Sequence, residues 1–350
     1  MTEVPAADDR RQQEFEKVLS GSDASVANFD TYRKSPVEKV QHFLHKNPAA
    51  VPLIVLVLSV AIFGVLLGSK FFIALPLILQ QVSIVAIIGS AQTLVVLTAG
   101  IDLSVGAMMV LSSVVMGQFT FRYGIPAPLS ILCGFGVGAL CGCINGILIS
   151  RMKLPPFIVT LGTWQVFLAT NFLFSANETI RSQDIAANAP MLQWLSGNTI
   201  IFVMVLVVGS LWYVLNHTAW GRHVYAVGDD PAAADLSGVH VTRLVTVVYT
   251  ISGLICALAG WVLIGRLGSV SPTSGQFANI ESITAVVIGG ISLFGGRGSI
   301  LGMIFGALIV GVFQLGLRMI GTDPQWTYLL IGVLIIVAVS IDQWIRRVAG

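Results

Sequence analysis

The chain has 350 residues, 55% of them hydrophobic and 10% charged, with a formal net charge of +2. A mean hydropathy of +0.86 excludes a soluble globular domain and points to an all-α, polytopic membrane protein. The near-neutral charge argues against a nucleic-acid partner. The four cysteines (Cys133, Cys141, Cys143 and Cys256) lie in apolar runs and read as small buried residues, not as a disulfide framework or metal site.

Residues 1–47 hold 15 of the 36 Asp, Glu, Lys and Arg residues and few large apolar ones, which is the composition of a solvated tail without a cleavable signal peptide. Its end differs. Ser35-Pro36-Val37-Glu38 is a capping-box pattern, and Val37, Val40, Phe43 and Leu44 share a face, so a surface helix is expected over 36–46.

The rest of the chain, 48–346, reads as the transmembrane part. Uncharged runs predict ten spans near 50–69, 73–99, 103–121, 127–149, 155–175, 198–216, 244–264, 282–296, 299–317 and 325–341. With the N-terminus inside, 14 of the 19 Lys and Arg residues and all 5 His fall on the cytoplasmic side. Both termini and the loop 218–243 are then expected in the cytoplasm.

Two spans depart from the regular pattern. Phe71 to Ile101 carries no charge and as one helix would run about 46 Å, so it must tilt or break, with Pro76, Gly89 and Gly100 as candidate points. Between Glu281 and Arg297 a short run holds Gly289, Gly290, Gly295 and Gly296. Such glycine-interrupted spans expose backbone polar groups to a cavity and often carry a substrate site or gate, which makes Gly289, Gly290 and Phe294 candidates. Ser83–Gly89 faintly echoes Ser282–Gly289, and Gly100–Gly106 echoes Gly296–Gly302, a weak hint of duplication with both copies running the same way. Gly134, Gly138, Gly142 and Gly146 recur every four residues, as do Gly302 and Gly306, giving bare faces for close helix packing.

Asp102 is the only charge between residues 71 and 121. Its glycine neighbours and Ser104 suit a cap on the third span near the cytoplasmic edge, with direct substrate contact as the other reading. Glu281 is expected to complement the helix dipole at the outer start of the eighth span. Gln80, Gln81, Gln92, Thr160, Thr163, Trp164, Gln165 and Asn171 offer amides, hydroxyls and an aromatic face to a hydroxyl-rich solute, though such groups more often bond helix to helix.

Thr218–Arg243 is the longest polar interruption in the second half. Asp229 leads into it, Asp230 caps, Pro231 suits the first helical position, and Ala232, Ala233 and Ala234 continue the helix through Leu236 and Ser237 to a stop at Gly238. The expected element is about two turns, bounded by Gly228 and Gly238. It reads either as a lever between two spans or as an ordinary capped loop. No Gly-x-Ser-x-Gly, His-Glu-x-x-His or Walker A pattern occurs, so the chain is expected to be no enzyme and to bind no cofactor.

Four stretches together resemble the membrane-spanning permease of bacterial sugar ABC importers, the ribose/xylose/galactose/fructose group. They are Leu97–Gly106, Leu154–Gly162, Gly221–Ala234 with Leu236-Ser-Gly238, and Ala285–Gly298. Ser175–Asp184 is similar to the fructose-uptake branch. The resemblance implies two permease copies, a separate cytoplasmic ATPase carrying ATP and Mg, and a periplasmic binding protein facing the loops 176–196 and 265–280. It further implies a monosaccharide substrate, a bacterial inner-membrane location, and a coupling helix at Asp229–Gly238 that docks on the ATPase. Asp229-Asp230-Pro231 stands where a typical member reads Gly-Asn, which makes that docking surface more acidic.

Overall fold

The computed structural model describes residues 49–275 and 277–346; the polar tail and the surface helix expected over 36–46 lie outside them. Uncharged runs become helices here because a helix satisfies its own backbone where no water can. In chain order they are α1 (Ala50–Leu67), α2 (Ser69–Ile73), α3 (Leu75–Leu97), α4 (Val105–Phe121), α5 (Ala127–Ser150), α6 (Pro156–Ser175) and α7 (Ser182–Asn188). A single 3-10 turn, Pro190–Gln193, precedes α8 (Asn198–His217), α9 (Ala219–Asp229), α10 (Pro231–Leu236) and α11 (Val241–Leu267). The chain continues with α12 (Ala278–Ile288), α13 (Ile300–Ile320) and α14 (Pro324–Arg346).

Seven of these are long and apolar enough to cross a membrane, and shorter apolar helices cover Val105–Phe121, Ala278–Ile288 and Gln325–Ser340. Ten apolar segments thus follow the expected order, but the eighth is only half a span. Its helix stops at Ile288, and residues 289–299 are irregular, so this stretch covers about 16 Å as helix.

The long uncharged run around α3 ends differently from expectation at one of its three candidate points. Pro76 sits in the first turn of α3, where its missing N–H costs nothing, and Gly100 lies beyond the last turn. Gly89 does not break the helix. It lies inside α3, with a Cβ there 2.9 Å from the sulfur of Met303, so its bareness admits a neighbour.

Burial ranks the helices. In α3, 83% of the apolar window is buried, and in α11 67%, against 17% in α1 and 22% in α6, so α3 and α11 form the centre. Helix α11 packs on α5, α4 and α3, while α13 packs on α12, α3 and α1. The four-residue glycine repeat is an internal seam: Gly138 and Gly142 lie against the carbonyls of Gly253 and Tyr249 on α11, and Gly134 receives Met116 of α4. Gly302 and Gly306 do the same for the backbone of α12 at Gly289 and Ala285.

Candidate coupling and translocation site

The 218–243 loop holds two helices rather than one. Thr218 caps α9 by accepting from Gly221 N, and Asp230 caps α10 by accepting from Ala232 N and Ala233 N at 2.8 and 3.0 Å. Pro231 takes the first helical position, and Gly238, at φ +87, ends the element after Ser237. Gly228 is therefore not a boundary: it lies inside α9, which runs on to Asp229. The reason is packing, since a helix interior accepts a glycine when another backbone needs the space.

That other backbone belongs to two spans at once. A methyl group at Gly228 would overlap the carbonyl oxygen of Leu97, the last residue of α3, and would lie 2.6 Å from Gly296 N. Gly296 N donates to Leu97 O at 3.0 Å, which closes the triangle. Tyr225 of α9 strengthens it, with its hydroxyl donating to Gly298 O at 3.0 Å. Burial pushes the Tyr225 phenol above its ordinary value. Beyond this wedge α10 stands clear: Ala234 is buried, while Pro231, Ala232, Ala233 and Asp235 are exposed and Leu236 is 91% exposed.

Three of the predicted path residues converge on one irregular segment, 98–104, between α3 and α4. Gln92 is fully buried; in the amide orientation its neighbours dictate, it donates to Asp102 O at 2.9 Å and accepts from Asp102 N at 3.3 Å. Thr160 donates to Ile101 O at 2.9 Å. Asp102 is itself fully buried and accepts from both Ser104 N and Ser104 Oγ at 2.8 and 2.6 Å. Asn145 of α5 donates to Ser104 Oγ at 2.8 Å. Asp102 thus orders the turn that leads into α4, and Ser104 is the residue at the cap position.

The other candidates are dispersed. Gln80 and Trp164 are half-buried, and Thr163 is buried with its hydroxyl on Thr160 O at 3.4 Å. Gly289 and Gly290 end α12, and Phe294 is 70% exposed in the following loop. Glu281 lies in the first turn of α12 and accepts from Gln314, which in turn accepts from Gln81, a polar ladder across α12, α13 and α3. The loops 176–196 and 265–280 are stitched into one surface. Ile180 pairs with Val270 as an isolated bridge, and Gln193 donates to Gly268 O at 2.6 Å.

Sequence reasoning passed over Asn145, Asn279 and the Leu97–Gly228–Gly296 junction. A glycine amid good helix formers was the available signal for the junction, because such a residue costs about 1 kcal/mol unless something needs its bareness.

Comparison with known proteins adds the lineage. The family profile described as branched-chain amino acid transport system / permease component matches residues 74–339. A fructose import permease protein of Rhizobium meliloti is 73% identical over 97% of this chain and 97% of its own length. A ribose import permease protein of Escherichia coli K12 is 34% identical over 83% of this chain and 92% of its own. A galactose/methyl galactoside import permease protein of the same organism is 31% identical over 76% and 85%. No solved structure matches the chain. With more than half its length inside the profile and a near-full-length relative, this chain belongs to the branched-chain amino acid transport system permease family.

Proposed function

We propose that this chain is the membrane-spanning subunit of an ATP-driven importer that brings a monosaccharide, fructose or a related hexose or pentose, into the cytoplasm by alternating access. The sugar rests on the near-full-length identity to a fructose import permease, which outweighs the amino-acid wording of the broader family. The mechanism rests on one observation, the α9–α10 loop. Its near end is wedged backbone to backbone between the end of α3 and the turn at Gly296, and its far end offers a bare Leu236 to a partner. A push on α10 therefore reaches two spans without slack, because close-packed interiors transmit strain.

The ATPase, with its ATP and Mg, is a separate cytoplasmic chain that receives Asp229–Gly238; a second permease copy completes the channel. A periplasmic binding protein delivers sugar onto the stitched surface of the 176–196 and 265–280 loops. The protein sits in the bacterial inner membrane with its N-terminus inside, as the Lys and Arg distribution favours. An ion-coupled carrier would need an ionisable group available in the spans. Asp102 has one carboxylate oxygen on Ser104, and Glu281 accepts from Gln314.

The test is reconstitution with the ATPase and binding protein in vesicles. Leu236→Asp, or deletion of Ala232–Ala234, is expected to abolish sugar-stimulated ATP hydrolysis while membrane insertion persists. Undiminished stimulation in those variants refutes the lever, and uphill accumulation by the permease alone without nucleotide refutes the importer. Identifying the ligand retained by the purified binding protein decides the sugar.

A further inference from the structure

Two apolar helices, α4 and α12, begin within the bundle. Helix α4 follows the segment 98–104, which starts at the α9 end; α12 follows 268–277, which starts at the opposite end, where Val270 pairs with Ile180. The two segments run toward each other and their helices start side by side. A Cβ at Gly106 would lie 3.0 Å from Asn279 N, and Asn279 Nδ2 donates to Leu103 O at 3.4 Å. The N–H groups of a first helical turn have no acceptor within their own helix. Ser104 N is taken by Asp102 and Ala278 N by Gly275 O, and the remaining first-turn donors of both helices meet here.

Beside this meeting lies a cavity of about 280 Å³, bordered by Trp164 and Asn171 of α6, by Ser274 and Phe277, and by Gly106 and Asn279. Asn171 and Asn279 are 0% and 4% exposed. Asn171 spends its Nδ2 on Pro272 O at 2.8 Å, and the amide oxygen of each asparagine has no hydrogen-bond partner. A buried amide oxygen left unmatched costs about 1–3 kcal/mol, so a ligand that supplies a donor recovers that cost.

We infer that this cavity is a transit site for a neutral, polyhydroxylated solute of monosaccharide size. The chemistry selects that class. Among the described residues no Asp, Glu, Lys or Arg borders the cavity. An anion is disfavoured although two helix N-termini point this way, because the Asp102 carboxylate already lies against the start of α4. Sugar hydroxyls fit both kinds of group: their hydrogens go to the asparagine oxygens, and their lone pairs receive the first-turn N–H groups and Ser274. Trp164 and Phe277 offer flat apolar faces to the C–H side of a sugar ring. The site deepens the proposed function and rests on it, since that reading brings the sugar here.

The experiment uses the complete importer in vesicles with D-fructose as probe, measuring flux and ATP hydrolysis together. Asn171→Leu, Asn279→Leu and Trp164→Leu are each expected to lower D-fructose flux by about tenfold and to raise the ATP consumed per sugar several-fold. Trp164→Tyr is expected to recover part of the flux. A subunit that is merely destabilised loses flux and hydrolysis in proportion, so an unchanged ratio in all three variants overturns the site while the importer stands. Should either buried asparagine variant fail to assemble, half-buried Trp164 keeps the ratio measurable. A wild-type importer that moves no monosaccharide overturns the proposed function and this site with it.

Discussion

The two irregular segments that lead into α4 and α12 are held to different degrees. Segment 98–104 is clasped by side chains from four helices, through Gln92 of α3, Asn145 of α5, Thr160 of α6 and Asn279 of α12. The described part of 268–277 is held by the buried Asn171 on Pro272, by the backbone pairing of Val270 with Ile180 and by Gln193 on Gly268 O. Thr179, Ser271 and Thr273 pair among themselves at the exposed end. Inside a bilayer every backbone group needs a protein partner, whereas near its edge water substitutes. The groups that hold 98–104 are buried, so moving it breaks bonds that water does not replace, whereas water can substitute for the exposed bonds of Ser271 and Thr273. The first segment is the more firmly clasped of the two.

The sharpest break in that comparison comes from the junction of Leu97, Gly228 and Gly296 beside segment 98–104. Gly228→Leu drives a side chain into Leu97 O, so α9 cannot seat; a loss of about 3 kcal/mol or more is expected, seen as failure to recover a monodisperse subunit in detergent. Wild-type elution and melting would mean that the wedge is open. Next, Gln92→Leu leaves the N–H and carbonyl of Asp102 without partners, at about 1–3 kcal/mol for each, and the melting temperature drops accordingly.

Tyr225→Phe removes the bond to Gly298 and is expected to cost about 0.5–1.5 kcal/mol at neutral pH. The same residue carries a pH signature. Its folded phenol titrates above the unfolded value of 10, so its stabilising contribution is complete below pH 10 and is lost as the pH rises through the folded value. The wild type should then lose melting temperature above pH 10 more steeply than Tyr225→Phe, and parallel curves would remove Tyr225 from the junction. The smallest effect is expected on the other segment, where Thr273→Ala should stay within about 0.5 kcal/mol of wild type. A Thr273→Ala loss equal to that of Gln92→Leu would erase the distinction between the two segments.

The series of apolar segments and the chemistry of α10 were legible from residues alone. Asp230, Pro231 and Gly238 act on their immediate neighbours, and hydropathy is a property of one stretch at a time. Gly228 misled for the opposite reason: its purpose is set by Leu97 and Gly296, which lie far away along the chain. Gln92, Asp102 and Thr160 were singled out as polar residues in apolar surroundings, yet nothing local revealed that all three meet on one turn.

The sequence by itself determined where the chain is oily enough to become helix, where it is polar enough to leave the bundle, and how the short exposed helix α10 starts and stops. Tertiary structure decided that α9 wedges against two spans and that α4 and α12 start side by side around a cavity. Contacts such as Leu97 with Gly228 and Gly106 with Asn279 join backbone atoms more than a hundred residues apart. No local propensity encodes such a pairing, because its energy exists only once the helices have packed.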